Sequence, residues 1–155
     1  MVKGYIERTW EGRDSQEEVR QIYRLQRKGE AEQIAAFKHL KDRFLLFHGS
    51  KTFNFMGLLG QGLKIAPAEA PTTGFMFGKG IYFADMFAKS FQYCYDFFFG
   101  GMFGGFGGRN MWNRGRQGSP MQDPKFMLLC EVALGEQLRK FQAEYIESLP
   151  STYSV

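Results

Sequence analysis

The sequence has few of the residues that build metal centres and disulfide frameworks. Its 155 residues include two cysteines, Cys94 and Cys130, and two histidines, and no CxxC pair occurs. A zinc site would need more ligands than these residues offer at their spacings, so we expect no metal centre. Two distant cysteines are better interpreted as free thiols in a reducing compartment.

Long apolar runs and dense blocks of positive charge are also missing. No window approaches the ~18 uninterrupted apolar residues of a membrane-spanning helix, and residues 1–7 lack the apolar core of a secretory signal. The net charge of +4 comes without a block of lysines and arginines, so nucleic acid is not indicated as a partner. We therefore expect an intracellular protein, nuclear or cytoplasmic, with no membrane segment.

Phenylalanine and glycine are abundant by contrast, with 17 and 19 copies, and 44% of the residues are hydrophobic. This composition suffices for the core of a single domain. Many of these residues fall in a Phe/Gly-rich stretch, 97–122, whose low complexity predicts an inserted loop. The loop has three interpretations: a surface loop without specific function, a surface buried against a partner protein, or, more weakly, an RNA contact through its arginines.

Few long helices and several short, turn-bounded strands favour an α+β domain. Residues 1–14 predict an arm or a ragged first element, and residues 19–25 fit a helix and a strand equally well. Further along we predict helices over 30–39, with Ile34 and Phe37 inward, over 54–62, and over 86–95, with Asp85 as N-cap. Strands are predicted over 43–47, as a buried strand, and over 80–84 and 125–135.

Two short motifs carry the chemistry. The first is His48-Gly49-Ser50, directly after a strand, and the second is the run 78–85, which contains Tyr82. A pocket for a planar carboxamide needs aromatic faces, a bare peptide unit and a hydroxyl. Gly49 offers the peptide unit, while Ser90 and Tyr93 share one helix face at i, i+3 and offer a hydroxyl and a ring.

These motifs resemble the catalytic domain of the poly(ADP-ribose) polymerases. The resemblance runs in order through 22–31, 45–55, 62–67, 73–85, 89–90, 93–94 and 131–135. It covers residues 18–155 apart from the insert, so 1–17 is set aside as an N-terminal arm. It implies an ADP-ribosyltransferase-like mixed or antiparallel sheet with short helices, incomplete at the C-terminus, and a strand near 18–26. It also implies a nuclear protein first, with the cytoplasm or a cytoskeletal assembly as alternatives.

The resemblance implies NAD+ as a substrate and gives roles to individual residues. His48 would hold the ribose next to nicotinamide, and the backbone of Gly49 and the hydroxyl of Ser90 would bind the carboxamide. Tyr82, catalytic together with His48, would line the slot, and Tyr93 would stack on the ring. The remaining cofactor-binding positions are Ser50, Asn54, Lys64 and Phe75. Lys64 stands where well-known members carry arginine, Phe75 replaces a tyrosine, and Phe47 replaces a tryptophan.

The third member of the family's His-Tyr-Glu triad is a glutamate on a late strand. Glu136, Glu144 and Glu147 are candidates by type only, and Glu131 belongs to a different, shared strand. We expect the catalytic glutamate to be absent from this chain, which removes preorganised charge worth about 10²–10³ in rate. The implied function is transfer of ADP-ribose from NAD+ to protein acceptors, weak or inactive in this chain alone. The alternative is a non-enzymatic structural or interaction module that uses the same fold inside a larger assembly.

Overall fold

The computed structural model describes residues 1–13, 17–65, 76–94 and 124–148. Within them lie four α-helices, two β-strands and two short 3-10 turns, which confirms the α+β class. In chain order they are α1 (Val2–Thr9), α2 (Glu30–Ala35), β1 (Asp42–Gly49), the turn Thr52–Asn54, α3 (Phe55–Gln61), α4 (Phe87–Phe91), the turn Gln92–Cys94 and β2 (Met127–Leu134). The predicted insert 97–122 and Phe75 lie outside the described residues.

The sheet consists of β1 and β2, paired antiparallel from Asp42 opposite Leu134 to Gly49 opposite Met127. Both strands were predicted from their apolar runs. The expectation that β1 is buried is only partly right. Phe47 is 1% exposed and joins the buried core, but Phe44 and Leu45 are 47% and 50% exposed.

The strand predicted over 80–84 is wrong, since these residues form a single antiparallel bridge between Phe47 and Ala84. The Phe47 N–H donates to the Ala84 carbonyl at 2.7 Å, and the Ala84 N–H donates to the Phe47 carbonyl at 3.0 Å. A longer ladder would next pair Leu45 with Met86 and Gly49 with Tyr82. At both ends a side chain takes the strand carbonyl instead: Tyr5 binds that of Leu45, and His48 binds that of Tyr82.

The core lies between α1, β1 and α4. Its buried members are Ile6, Trp10, Phe47 and Phe87. The Trp10 and Phe87 rings lie 4.5 Å apart, and Phe87 meets Phe47 edge-on at 5.4 Å, distances typical of favourable aromatic pairs. Of the two alternatives for the N-terminus, an arm or a first element, the structure has an element: α1 and the residue after it bring two apolar side chains, spaced i, i+4, onto one face. A domain boundary at residue 17 stays a prediction.

The strand expected near 18–26 is also wrong, because residues 17–27 have neither helical nor strand structure. Ile22, Tyr23 and Leu25 are 54%, 74% and 55% exposed. A strand is stabilised only when a neighbour pairs with its backbone N–H and C=O groups. In the part of the chain that the structure describes, β1 and β2 pair with each other and neither pairs with this segment.

The remaining helices follow the sequence with local differences. The predicted helix 30–39 is shorter, and Ile34 and Phe37, expected inward, are each 46% exposed because no described element packs over them. α3 ends at Gly62, whose φ of 80° favours glycine at a helix end. The predicted capping role of Asp85 is wrong: α4 has Met86 at its N-cap without a side-chain hydrogen bond. No helix in the described ranges is long and apolar enough to cross a membrane.

Candidate functional site

The end of β1 delivers His48 to the chain segment that carries Tyr82. Ring Nδ1 of His48 lies 2.9 Å from the main-chain oxygen of Tyr82. A carbonyl oxygen only accepts hydrogen bonds, so Nδ1 must carry the proton. In the neutral imidazole the other nitrogen, Nε2, is then an acceptor. The contact therefore fixes the ring orientation and gives Nε2 a defined role toward a ligand.

Tyr82 is held by its own turn. Its hydroxyl donates to the carbonyl of Gly78 at 2.6 Å and accepts the N–H of Phe77 at 3.1 Å. Gly78 has a φ of 97°, a conformation that glycine adopts without strain. The side chain of Tyr82 is 39% exposed, so the ring offers accessible aromatic surface while its hydroxyl is engaged.

Gly49 and Ser90 are in direct backbone contact. A Cβ atom built on Gly49 would lie 1.8 Å from the carbonyl oxygen of Ser90, so only glycine permits this approach between β1 and α4. The hydroxyl of Ser90 donates to the carbonyl of Phe47 at 2.9 Å, and the residue is 3% exposed. The Ser90 hydroxyl proton is thus used in this hydrogen bond, but the hydroxyl oxygen can still accept one from a carboxamide N–H.

Cys94 lies behind this contact and was interpreted from sequence only as a free thiol. Its Sγ would be 3.3 Å from a Cβ at Gly49, and it donates to the carbonyl of Phe126 at 3.3 Å. Burial raises the pKa of the thiol, which favours the neutral form. The sequence held a signal for this position, because Ser90 and Cys94 are spaced i, i+4 on one helical face.

The other predicted binding residues lie around this cluster with their own partners. Tyr93, in the turn after α4, is 59% exposed, and its stacking role stays a prediction. Asn54 Nδ2 donates to Ser50 Oγ at 3.0 Å, and Lys64 Nζ donates to Gln61 Oε1 at 2.7 Å. The structure thus brings His48, Gly49, Tyr82 and Ser90 together, while the adenosine-side positions Ser50, Asn54 and Lys64 remain predictions.

Two of the glutamates considered above form ion pairs with basic side chains. Glu131 stands opposite Leu45 in the sheet and forms an ion pair with Arg43 at 3.0 Å. Glu144 pairs with Lys140 at 2.7 Å. The expected absence of a catalytic glutamate stays a prediction. Among the described residues, no group of three His, Cys, Asp or Glu side chains is close enough to hold a metal ion.

A cavity of about 490 Å³ lies beside this cluster rather than inside it. It is lined by Phe77, Lys79, Leu138, Lys140, Ile146, Glu147 and Ser148. The Ile146 N–H donates to the Phe77 carbonyl at 3.3 Å, so the segment 141–148 packs on the turn that carries Tyr82. The His48 cluster itself is therefore the stronger candidate, because it combines fixed polar atoms with the two sequence motifs.

Comparison with known proteins identifies the class. The family described as Poly(ADP-ribose) polymerase catalytic domain matches residues 1–155, and this chain belongs to it.

Three similar relatives are poly [ADP-ribose] polymerase 1 of Gallus gallus, 40% identical over 152 residues, poly [ADP-ribose] polymerase 2 of Zea mays, 40% over 147, and poly [ADP-ribose] polymerase 1 of Xenopus laevis, 45% over 133. These alignments cover 97%, 94% and 86% of this chain. They cover 13%, 19% and 11% of the respective relatives, so the chain spans less than a quarter of their length. Members of this family use NAD+ as a substrate.

Proposed function

We propose that this chain forms the NAD+-binding part of an ADP-ribosyltransferase, which transfers ADP-ribose from NAD+ to protein acceptors and releases nicotinamide. Family membership supports the reaction class. The observation that carries the proposal is the 2.9 Å contact between His48 Nδ1 and the Tyr82 carbonyl, because it joins the two motifs and sets the ring for a ligand.

The residues of the cluster fit a nicotinamide nucleoside. Nε2 of His48 would accept a hydrogen bond from a ribose hydroxyl, and the oxygen of Ser90 would accept one from the carboxamide N–H. Gly49 exposes peptide groups without a side chain, so a planar ligand can approach closely. Tyr82 and Tyr93 would supply aromatic faces for the pyridine ring. Ser50, Asn54, Lys64 and Phe75 are proposed for the adenosine half.

The transferase step itself would be weak in this chain alone. Breaking the bond between nicotinamide and ribose develops positive charge on the ribose, which a nearby carboxylate stabilises while it orients the acceptor. Without that glutamate the rate is expected to fall by about 10²–10³. Incubation of the purified chain with labelled NAD+ tests this, and robust modification of the chain would contradict it.

Binding is the sharper test of the proposed site. The purified chain is titrated with NAD+ and with benzamide, a mimic of nicotinamide, by calorimetry. We expect binding of both, and a loss of about tenfold in NAD+ affinity in His48→Ala, since the substitution removes a hydrogen bond worth up to about 1.5 kcal/mol. His39→Ala is the matched control, because His39 lies in the turn after α2 and bonds the Ala36 carbonyl. A folded chain that binds neither probe would refute the proposal.

A second candidate is the non-enzymatic module within a larger assembly. The exposed apolar side chains of Phe44, Leu45 and Tyr23 favour it, because exposed apolar surface often marks an interface. The Phe/Gly insert is proposed as a further contact with a protein partner. If the folded chain binds neither NAD+ nor benzamide, that result would favour this second candidate. The nucleus is the first location to examine in either case, with the cytoplasm or a cytoskeletal assembly next.

A further inference from the structure

Tyr5, in the first helix, reaches the two chain segments that form the candidate site. Its hydroxyl oxygen lies 3.1 Å from the carbonyl oxygen of Leu45 and 2.9 Å from that of Asp85. Its ring stacks on Phe47, with ring centres 5.0 Å apart and an angle of 25° between the planes. A phenol has one proton to donate, so the two carbonyls share it. The side chain thus combines a packing contact with a polar bridge.

The bridge adds to other contacts that the described residues make between the same two segments, 45–48 and 82–85, including the rings of His48 and Phe83, whose centres are 5.7 Å apart. Tyr5 joins Leu45 to Asp85 at one end, and the backbone pair between Phe47 and Ala84 forms the middle. The ring of His48 bonds the Tyr82 carbonyl at the other end. Because these segments share a single backbone pair, the side-chain ties at its two ends decide how firmly the segments are held.

The Tyr5 hydroxyl also lies where the pairing stops. An antiparallel ladder that continued from Phe47 and Ala84 would use the Leu45 carbonyl to accept the Met86 N–H. The hydroxyl occupies that carbonyl, and the chain turns at Asp85 into α4, which begins at Phe87. α4 in turn places Ser90 against Gly49. The Tyr5 hydroxyl therefore binds the chain close to both contacts of the cluster, His48 with Tyr82 and Gly49 with Ser90.

We propose that Tyr5 is a positioning residue for the candidate site: its hydroxyl clamps the His48 and Tyr82 segments together, and α1 is thereby coupled to the ligand-binding geometry. The part of this inference that concerns ligand affinity rests on the proposed function. The part that concerns the imidazole of His48 does not, because it is measured without ligand.

The test uses Tyr5→Phe, which keeps the ring that stacks on Phe47 and removes the hydroxyl. The chain has two histidines, so ¹⁵N NMR resolves both rings, and His39→Asn assigns them. In the unchanged chain we expect the His48 signal of a ring protonated at Nδ1. In Tyr5→Phe we expect a shift toward the mixture of neutral tautomers that a less constrained ring adopts. NAD+ affinity is expected to fall about three- to tenfold, as for loss of one ordinary hydrogen bond.

Hydrogen exchange gives a second readout of the same tie. The Phe47 and Ala84 amides, which form the single backbone pair, are expected to exchange about three- to tenfold faster in Tyr5→Phe. Amides in the pairing of β1 with β2 are expected to change less, because the hydroxyl does not contact β2.

Two matched controls separate positioning from general stability. Thr9→Val removes the hydrogen bond from Thr9 Oγ1 to the Tyr5 carbonyl, 2.9 Å, and so weakens α1 without touching the bridge. Tyr23→Phe removes a hydroxyl from a side chain that is 74% exposed. Both are expected to leave the His48 signal unchanged.

The outcomes decide the two proposals separately. An unchanged His48 signal and unchanged exchange in Tyr5→Phe would overturn the positioning role. The same holds if Thr9→Val shifts the His48 signal equally, or if Tyr5→Phe unfolds the whole chain, since the hydroxyl would then act through general stability. If the unchanged chain binds no NAD+, the proposed function fails, while the tautomer and exchange comparisons still decide the role of Tyr5.

Discussion

His48 and Tyr82 lie 34 positions apart in sequence and are joined by a 2.9 Å hydrogen bond from ring Nδ1 to the main-chain oxygen. The bond uses the nitrogen nearer the backbone and leaves Nε2 for a ligand. The two nitrogens of one ring therefore have separable tasks, one structural and one in binding, and a substitution can keep the first while removing the second.

His48→Asn is that substitution, because the asparagine amide can approximate Nδ1 as a donor to the Tyr82 carbonyl but has no group at the position of Nε2. We expect benzamide affinity within about threefold of the unchanged chain and NAD+ affinity reduced about tenfold, since only NAD+ carries the ribose. Calorimetric titration of both ligands measures the split, with His39→Asn as control. Equal losses for the two ligands would mean that His48 acts on the whole pocket.

Gly49→Ala should be poorly tolerated, because the new methyl group would lie 1.8 Å from the Ser90 carbonyl oxygen and 2.7 Å from its carbon. Both atoms belong to the backbone, so β1 and α4 must separate. We expect a loss of about 1–3 kcal/mol in the free energy of unfolding, together with loss of benzamide binding.

Gly57→Ala is the matched control for this prediction. A Cβ there meets nothing within 4 Å, and Gly57 lies inside α3, where alanine is favoured by roughly 0.5–1 kcal/mol. Urea denaturation of the two variants is therefore expected to give shifts of opposite sign. A destabilised Gly57→Ala, or a Gly49→Ala as stable as the unchanged chain, would contradict the described packing.

The Arg27–Glu30 pair predicts a pH-dependent contribution to stability. Arg27 Nη2 donates to Glu30 Oε1 at 2.6 Å, and hydrogen bonding from the Arg27 side chain is the main cause that lowers the pKa of the Glu30 carboxyl. A lowered folded pKa means that the contribution is present above the ordinary value near 4.5 and is lost as the pH falls through the folded pKa.

Glu30→Gln should therefore cost stability at pH 7, by less than about 1 kcal/mol because the pair is partly exposed to solvent. The difference in unfolding free energy between the variant and the unchanged chain should narrow as the pH falls below 4.5, the ordinary pKa of this carboxyl. Urea midpoints measured across that range check this. Glu144→Gln, which removes an i, i+4 ion pair with Lys140, is the control and should cost no more than a few tenths of a kcal/mol. A stability difference that grows as the pH falls would contradict the predicted direction.

The two thiols should differ in reactivity. Burial raises the pKa of both Cys94 and Cys130, but Cys94 is 3% exposed and Cys130 only partly buried. With iodoacetamide at pH 7.5, Cys130 should be alkylated first and Cys94 at least about tenfold more slowly, because the thiolate is the reactive form and must be reached by solvent. Mass spectrometry of the digested protein gives the rates. In denaturant the two should react alike, and faster labelling of Cys94 in the folded chain would contradict its placement.

How far the sequence predicts local structure depends on where the stabilising contacts lie. The apolar run before Gly135 predicted β2, and the run before His48 predicted β1, because each run is long enough to favour one pattern by itself. α3 could be placed since a glycine, Gly62, follows its last residue, and its φ of 80° is one that glycine adopts readily. These elements are specified by residues within or next to them.

Elements that need a distant partner were predicted wrongly. The run 80–84 looks like a strand, but pairing ends after one residue, and Tyr5 and His48 bind the adjacent carbonyls through their side chains. The residues 19–25 fit a helix and a strand equally well and the family resemblance implied a strand near 18–26, but neither described strand pairs with this segment. α1 was missed because Gly4 and many polar residues hide an apolar pair that becomes visible only when Ile6 and Trp10 are seen against Phe87.

The amino-acid order by itself determined the family, the α+β class and the identity of the polar groups at the candidate site, because motifs and apolar runs are local properties of the chain. Tertiary structure decided which nitrogen of His48 faces outward, why position 49 must be glycine and how the first helix reaches the site. Those features depend on atoms brought within about 3 Å of each other from distant parts of the sequence, a distance at which hydrogen bonds and steric repulsion act but which no local pattern records.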